Sequence, residues 1–263
     1  MTFPSDLHIA LLQFDPVWEE PDQNRDRIEH LLIGIRQETR LLILPEMFST
    51  GFSMAPESVA ESMDGPTLKW MKKIAGRLNA AICGSLIIRE NNLFYNRFVF
   101  VYPSGEIRHY DKRHLFTMGE EPSHYEAGNK RIVVEFEGWR ICPLICYDLR
   151  FPVWSRNKNN YDVLIYSANW PSSRQDVWST LLKARAIENQ CYVAGVNRVG
   201  TDLLQIYYSG GSQVVTPKGT YLAQSVSDCE ELLFASLSYH ELFDFRKKFP
   251  VLDDADDFIP PYL

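Results

Sequence analysis

Short apolar runs alternate with amphipathic helical stretches along this chain, and that alternation restricts it to a layered sheet covered by helices. Leu7-His-Ile-Ala-Leu-Leu-Gln-Phe14 reads as a buried strand, and residues 22–39 read as a helix with Ile28, Leu31, Leu32 and Ile35 on its apolar face. A strand over residues 41–44 then runs into Pro45-Glu46. A proline-opened helix over 66–79 precedes a strand over 80–88, and strands over 93–102 and 106–111 make a hairpin about Pro103-Ser-Gly105. The second half repeats the grammar, with strands over 132–136, 140–146, 162–168 and 191–196 and a helix over 176–190. Two similar halves imply two sheets packed face to face, and the hairpins imply some antiparallel pairing, so the expected class is mixed α/β.

With 263 residues, 45% of them hydrophobic, the chain can bury a large core, and no Pro/Gly/Ser-rich linker divides it. We therefore read residues 1–263 as a single domain. Its C-terminal extension, about 239–263, has a helix-like stretch over 239–248, an acidic stretch and the apolar end Phe258-Ile-Pro-Pro-Tyr-Leu263, which reads as a frayed tail or, alternatively, as a segment docked on a second subunit. The net charge of −7 is spread among interspersed acids and bases, which argues against nucleic acid as a partner. A bilayer span needs about 18 uninterrupted apolar residues, and no such run exists, so no membrane partner is expected. The start, Met1-Thr-Phe-Pro-Ser-Asp-Leu7, lacks a basic region and apolar stretch, and the reading is a soluble cytoplasmic protein. Cys83, Cys142, Cys146, Cys191 and Cys229 form an odd, sparse set unlike a disulfide framework. Cys142 and Cys146 lack the further ligands that a structural zinc requires, so no metal is expected.

Cys146 stands where the apolar segment Trp139-Arg-Ile-Cys-Pro-Leu-Ile145 gives way to the polar Tyr147-Asp-Leu-Arg150. A thiol at the mouth of a buried strand is a candidate nucleophile, and it needs a base and an oxyanion stabiliser at the same sheet edge. Glu46 ends Leu41-Leu-Ile-Leu-Pro-Glu46, and Lys112 follows Tyr110-Asp111, each at the edge of an apolar or aromatic run. A carboxylate serves as base for a thiol only where burial desolvates it, and an ammonium balances the charge and donates to the developing oxyanion. The inert alternative is a packed thiol beside an ordinary Glu-Lys ion pair.

Those three segments resemble the nitrilase superfamily of carbon-nitrogen hydrolases, whose triad is Glu, Lys and Cys in that chain order. Leu44-Pro-Glu46-Met-Phe-Ser-Thr-Gly-Phe52, Tyr110-Asp-Lys112-Arg-His-Leu-Phe116 and Cys146-Tyr-Asp-Leu-Arg-Phe-Pro152 carry the resemblance. Ala168-Asn-Trp-Pro171 and Lys183-Ala-Arg-Ala-Ile-Glu-Asn-Gln190 extend it to about Gly219. The chain is most similar to the bacterial omega-amidase branch, which cleaves the terminal amide of 2-oxo acid amides such as 2-oxoglutaramate and 2-oxosuccinamate. The resemblance implies a four-layer αββα sandwich, a homodimer or higher homo-oligomer, and Glu46, Lys112 and Cys146 as the catalytic set. It also implies a second glutamate seven residues before a loop glycine. In Glu120-Glu-Pro-Ser-His-Tyr-Glu-Ala-Gly128 that residue is Glu121, with Glu120 as the alternative.

For the remaining site residues, the backbone N–H of Tyr147 is expected to join Lys112 at the oxyanion. Arg150 is expected to bind a substrate carboxylate through its two-pronged guanidinium, the alternative being a structural salt bridge. Phe116, Tyr125 and Trp170 are the aromatic candidates for the pocket wall. His114 and His124 read as loop histidines rather than members of a Cys-His dyad. The chemistry implied calls for a small amide substrate and no metal or organic cofactor. A different amidohydrolase of the superfamily, acting on an N-carbamoyl amine, a deaminated peptide or an aliphatic amide, and a catalytically idle binding module are the competing functions.

Overall fold

The computed structural model describes residues 3–256. Its strands in chain order are β1 (Leu7–Gln13), β2 (Leu41–Ile43), β3 (Ala81–Glu90), β4 (Leu93–Val101), β5 (Ile107–Asp111), β6 (Val134–Phe136), β7 (Trp139–Ile145), β8 (Val163–Ala168) and β9 (Tyr192–Asn197), followed by β10 (Val199–Thr201), β11 (Tyr207–Ser209), β12 (Gln213–Val215), β13 (Tyr221–Gln224) and β14 (Glu231–Leu237). The α-helices are α1 (Pro21–Leu31), α2 (Pro56–Val59), α3 (Pro66–Leu78), α4 (Pro152–Ser155), α5 (Gln175–Asn189) and α6 (Tyr239–Lys248). Two six-stranded sheets result, ordered β14-β1-β2-β3-β4-β5 and β13-β12-β9-β8-β7-β6, with β10 and β11 as a separate ribbon.

A period of two in the strands explains the layering. Leu7, Ile9 and Leu11 of β1, with Leu41 and Ile43 of β2 and Ala81 and Cys83 of β3, join one core cluster with Trp139, Ile141, Ile145 and Val163 of the other sheet. The alternate residues Ala10, Leu12, Leu42 and Ile82 instead meet Ile28 of α1 and Leu68, Met71 and Ile74 of α3. The strands β1, β2 and β3 thus have one face on the partner sheet and one on helices, which makes them buried on both. On the second sheet α5 comes so close to β9 that a Cβ at Gly195 would lie 2.5 Å from Leu182 Cδ1 and 2.8 Å from Trp178 Cζ2.

The parallel pairs β1-β2-β3 and β7-β8-β9 lie at the middle of their sheets. Their carboxyl ends hold the residues of interest, as expected for sites on open parallel sheets. There the two sheets are joined directly, because Ser167 Oγ donates to the Leu44 carbonyl at 2.8 Å.

The structure corrects several expected boundaries. The helix expected over 22–39 ends at Leu31 and tightens into a 3₁₀ turn, Leu32–Gly34, after which Ile35 is extended (φ −67°, ψ 136°). The apolar spacing continues past that point, but a glycine there weakens the helix. The strand expected to include Cys146 stops at Ile145, and Cys146 opens a 3₁₀ turn, Cys146–Arg150. The strands β10 to β13 were not anticipated, since three or four residues are too few to show a period. The apolar end over 258–263 lies outside the described residues.

Gly195→Ala is expected to destabilise the protein by about 1–3 kcal/mol, because the methyl group must displace Leu182 and Trp178. A urea midpoint unchanged from the wild type would show that α5 yields without cost.

Candidate active site

Cys146 has φ +40°, a left-handed conformation that costs a non-glycine residue of the order of 1–3 kcal/mol. The buried Asp148 carboxylate secures the turn from below. Its Oδ2 accepts the Ile145 N–H at 3.0 Å and the Tyr110 hydroxyl at 2.8 Å, and its Oδ1 accepts the His114 N–H at 3.0 Å. The strained turn lifts Cys146 to the floor of a cavity, half-buried, with its thiol donating to the Asn169 carbonyl at 3.7 Å.

Glu46 lies just beyond β2 and is fully buried. Its Oε1 accepts from Lys112 Nζ and from Asn96 Nδ2, both at 2.8 Å, and its Oε2 accepts the Asn169 N–H at 2.9 Å. Asn169 Nδ2 donates to the Glu46 backbone carbonyl at 2.8 Å, which clamps this residue from the end of β8. Lys112 follows β5 and is also fully buried. Its ammonium reaches Glu121 Oε2 at 2.8 Å and Oε1 at 3.1 Å, and it lies 5.3 Å from the centre of the Phe52 ring.

Glu121 is buried, whereas Glu120 is exposed in a left-handed conformation (φ +59°), so Glu121 is the neighbour that contacts Lys112. Glu121 Oε1 also accepts from Asn96 Nδ2 at 2.9 Å and Oε2 accepts the Phe116 N–H at 2.6 Å. Gly128 closes this loop by donating its N–H to the Lys112 carbonyl at 2.8 Å, and a Cβ there would run into the Asp111 carbonyl.

Electrostatics follow from burial and charge. Burial opposes the Lys112 ammonium, but Glu121 and Glu46 outweigh it and hold its pKa above the ordinary value. Burial raises the Glu121 pKa, with Lys112 opposing that shift and Glu46 adding to it. Burial also pushes the Cys146 thiol well up, the charge of Glu46 pushes it further, and Lys112 pulls it back. At neutral pH the sulfur is therefore a thiol, which could act as a nucleophile only by losing its proton to a base.

A cavity of about 400 Å³ opens over the sulfur. Lys112, Cys146, Tyr147, Arg150, Phe116 and Trp170 all line it, as do Asn169, Arg174, Asp202 and Tyr208. Tyr125, expected in the wall, is absent from it. Its ring packs with Met47 and Ile87, and its hydroxyl donates to the Ser53 carbonyl at 2.5 Å, because the loop turns it into a small satellite core. Glu46 and Glu121 stand behind Lys112 rather than in the wall. His114 is held by Asp148, with Nδ1 at 2.8 Å, and stacks on Phe151 at 3.8 Å between ring centroids. His124 does not line the cavity. Sequence reasoning gave Asn96 and Arg174 no role. The only signal for Asn96 was a lone polar amide inside the aromatic run Leu93-Phe-Tyr-Asn-Arg-Phe98.

The family model of carbon-nitrogen hydrolases matches residues 8–247. The chain belongs to the carbon-nitrogen hydrolase family. Among its relatives is the Omega-amidase YafV of Escherichia coli (strain K12), 47% identical over 96% of this chain and 98% of that one. The 2-oxoglutaramate amidase of Bacillus subtilis (strain 168) is 35% identical over 94% of this chain and 96% of that one. The crystal structure of XC1258 from Xanthomonas campestris, a CN-hydrolase superfamily protein with an arsenic adduct in its active site, superposes with a TM-score of 0.94. It is 43% identical, covering 97% of this chain and 99% of that one. As a carbon-nitrogen hydrolase of the nitrilase superfamily, the chain has the α/β sandwich expected of it.

Because the Glu46 charge raises the Cys146 pKa, Glu46→Gln is expected to move the midpoint of Cys146 alkylation by iodoacetamide to lower pH. The pH dependence of labelling, read by peptide mass spectrometry, checks this. A midpoint that stays put or rises would mean that Glu46 does not act on the sulfur electrostatically.

Proposed function

We propose that this carbon-nitrogen hydrolase is an omega-amidase. It hydrolyses the terminal amide of 2-oxo acid amides, 2-oxoglutaramate and 2-oxosuccinamate among them, to the 2-oxo dicarboxylic acid and ammonia. The observation that carries the reading is one cavity with the Cys146 sulfur and the Lys112 ammonium at its floor and the exposed Arg150 guanidinium in its wall. The amidase names of the relatives support the same substrate class.

In the proposed mechanism Glu46 takes the thiol proton as sulfur bonds to the amide carbon, and the carbonyl π pair moves to oxygen. The Lys112 ammonium and the Tyr147 backbone N–H hold that oxyanion, a task worth about 3 kcal/mol per donor. Collapse of the adduct breaks the C–N bond, and Glu46 returns its proton to the departing nitrogen, giving ammonia and a Cys146 thioester. Glu46 then deprotonates water, which adds to the thioester, and collapse releases the acid and restores the thiol. Glu121 acts as a positioning residue, fixing the Lys112 ammonium through both carboxylate oxygens while Glu46 holds it through one. Arg150 pairs with the carboxylate far from the scissile amide, while Phe116 and Trp170 supply apolar walls. None of these steps calls for a metal or an organic cofactor.

In this reading the chain is one catalytic unit acting as a cytoplasmic homodimer or larger homo-oligomer, with its C-terminal region at the subunit interface. No helix among the described residues is long and apolar enough to cross a membrane, and the exposed Phe243 and Phe249 offer apolar area near that end. A monomer mass by light scattering at micromolar concentration would remove the oligomer.

Ammonia release from 2-oxoglutaramate, with glutamine, propionamide and N-carbamoylputrescine as comparators, tests the function. The expected result is selective turnover of the oxo acid amide that Cys146→Ala reduces by at least a thousandfold. Turnover preserved in a clean Cys146→Ala preparation would defeat the mechanism, and preference for another comparator would defeat the substrate assignment.

A further inference from the structure

Arg150 is not the only guanidinium in the cavity wall. Arg174 ends the 3₁₀ turn Ser172–Arg174 immediately before α5, half-buried, and also lines the cavity. Its backbone is fixed on both sides, since its N–H donates to the Pro171 carbonyl at 3.0 Å and its carbonyl accepts from Trp170 Nε1 at 2.8 Å. The same indole supports the other arginine, with the Arg150 Cζ 5.3 Å from the Trp170 ring centre. Across the cavity the Arg174 Cζ lies 5.6 Å from the centre of the Phe116 ring.

Both guanidiniums lack an anionic partner among the described residues. Arg97, Arg140, Arg198 and Arg246 each meet a carboxylate, and the arginines without one elsewhere, such as Arg36 and Arg131, lie outside the cavity, whereas Arg150 and Arg174 line it with an aromatic face beside each. An aromatic face orients a guanidinium while leaving its in-plane N–H groups able to bind an anion. The carboxylate in the wall, Asp202, is already engaged. Its Oδ1 accepts the Leu204 and Ile206 N–H groups, both at 2.9 Å, and its Oδ2 accepts the Tyr208 hydroxyl at 2.9 Å. The unpartnered acceptor Asn169 Oδ1 belongs to the thiol end, where Asn169 also contacts Glu46 and Cys146.

We propose that Arg174 is a second substrate-binding residue, and that Arg150 and Arg174 together make the site accept 2-oxo acid amides and refuse 2-amino acid amides. This rests on the omega-amidase reading and extends it. A 2-oxo acid end presents only acceptors, a carboxylate and a neighbouring carbonyl oxygen, to two donors that carry positive charge. A 2-amino acid end places an ammonium beside that carboxylate, where it faces two like charges, while Asp202 already accepts three hydrogen bonds from its own loop and Tyr208.

The experiment compares kcat and KM for 2-oxoglutaramate, glutamine and the neutral pentanamide in the wild type, Arg174→Met, Arg174→Lys and Arg150→Met. Arg174→Met is expected to lower kcat/KM on 2-oxoglutaramate at least tenfold more than on pentanamide, chiefly through KM. The 2-oxoglutaramate-to-glutamine preference falls with it, and Arg174→Lys or added guanidinium ion recovers part of the loss. Equal losses on all three substrates, or unchanged 2-oxoglutaramate kinetics, would overturn the proposal. A wild type that does not turn over 2-oxoglutaramate sinks the functional reading instead. The arginine pair is then decided by whether 2-oxoglutarate slows iodoacetamide labelling of Cys146. Protection in the wild type that is lost in Arg174→Met upholds the anion site, and no protection in the wild type overturns it.

Discussion

A fully buried ammonium between two fully buried carboxylates is the constraint on which the rest of this structure depends. Each charge alone would cost several kcal/mol to desolvate, and breaking such a pair by removing one partner costs about 3–5 kcal/mol. Lys112 therefore cannot leave Glu46 and Glu121 facing one another. The cluster joins the ends of β2 and β5 to the loop that carries Glu121. Asn96 Nδ2, shared between the two carboxylates, adds the middle of β4 to the same knot. Asn169 then brings in the end of β8 from the other sheet. One electrostatic cluster thus sets the relative position of the two sheets at the edge where the thiol stands.

The same arrangement suits the thiol for attack rather than for storage. Burial and the Glu46 charge keep the proton on sulfur, so Cys146 at rest is not a thiolate open to oxidation. Strain is placed where the chemistry is proposed to occur. Cys146 and Met47, the latter directly after Glu46, are both non-glycine residues with positive φ, at +40° and +45°. The turn at Cys146 aims the sulfur into the cavity, and Asp148 holds that turn with hydrogen bonds to Ile145, Tyr110 and His114.

Much of this was legible in the sequence because the informative residues interrupt strong patterns. Glu46, Lys112 and Cys146 each break an apolar or aromatic run, and β7 before Cys146 is long enough to show its period, whereas β2 before Glu46 has three residues and is marked by its apolar run alone. Two packed sheets followed from the repeated order of elements. Other features left no such mark. Tyr125 is as aromatic as Phe116, and only the course of the loop decides that one ring enters a satellite core and the other the cavity. Asn96 gains its importance from two carboxylates that are distant in sequence. Arg174 looks like any helix-start arginine until the absence of an acidic partner among the described residues is visible in three dimensions. The ribbon of β10 and β11, whose connecting loop supplies Asp202, is held by pairing and turn hydrogen bonds rather than by apolar alternation.

The final strand of the first sheet carries a consequence for the order of assembly. β14 pairs antiparallel with β1, from Leu7 opposite Leu237 to Gln13 opposite Glu231. A strand synthesised before most of this domain is thus paired by one synthesised after most of it. Until residues 231–237 emerge, β1 presents an unpaired edge, which is a template for association with other chains. The first sheet of the sandwich is therefore complete only after the strands of the second have been made. Synthesis at about 5–20 residues per second keeps that edge open for longer than pairing takes once both strands exist, which places the period of greatest exposure during translation rather than after it.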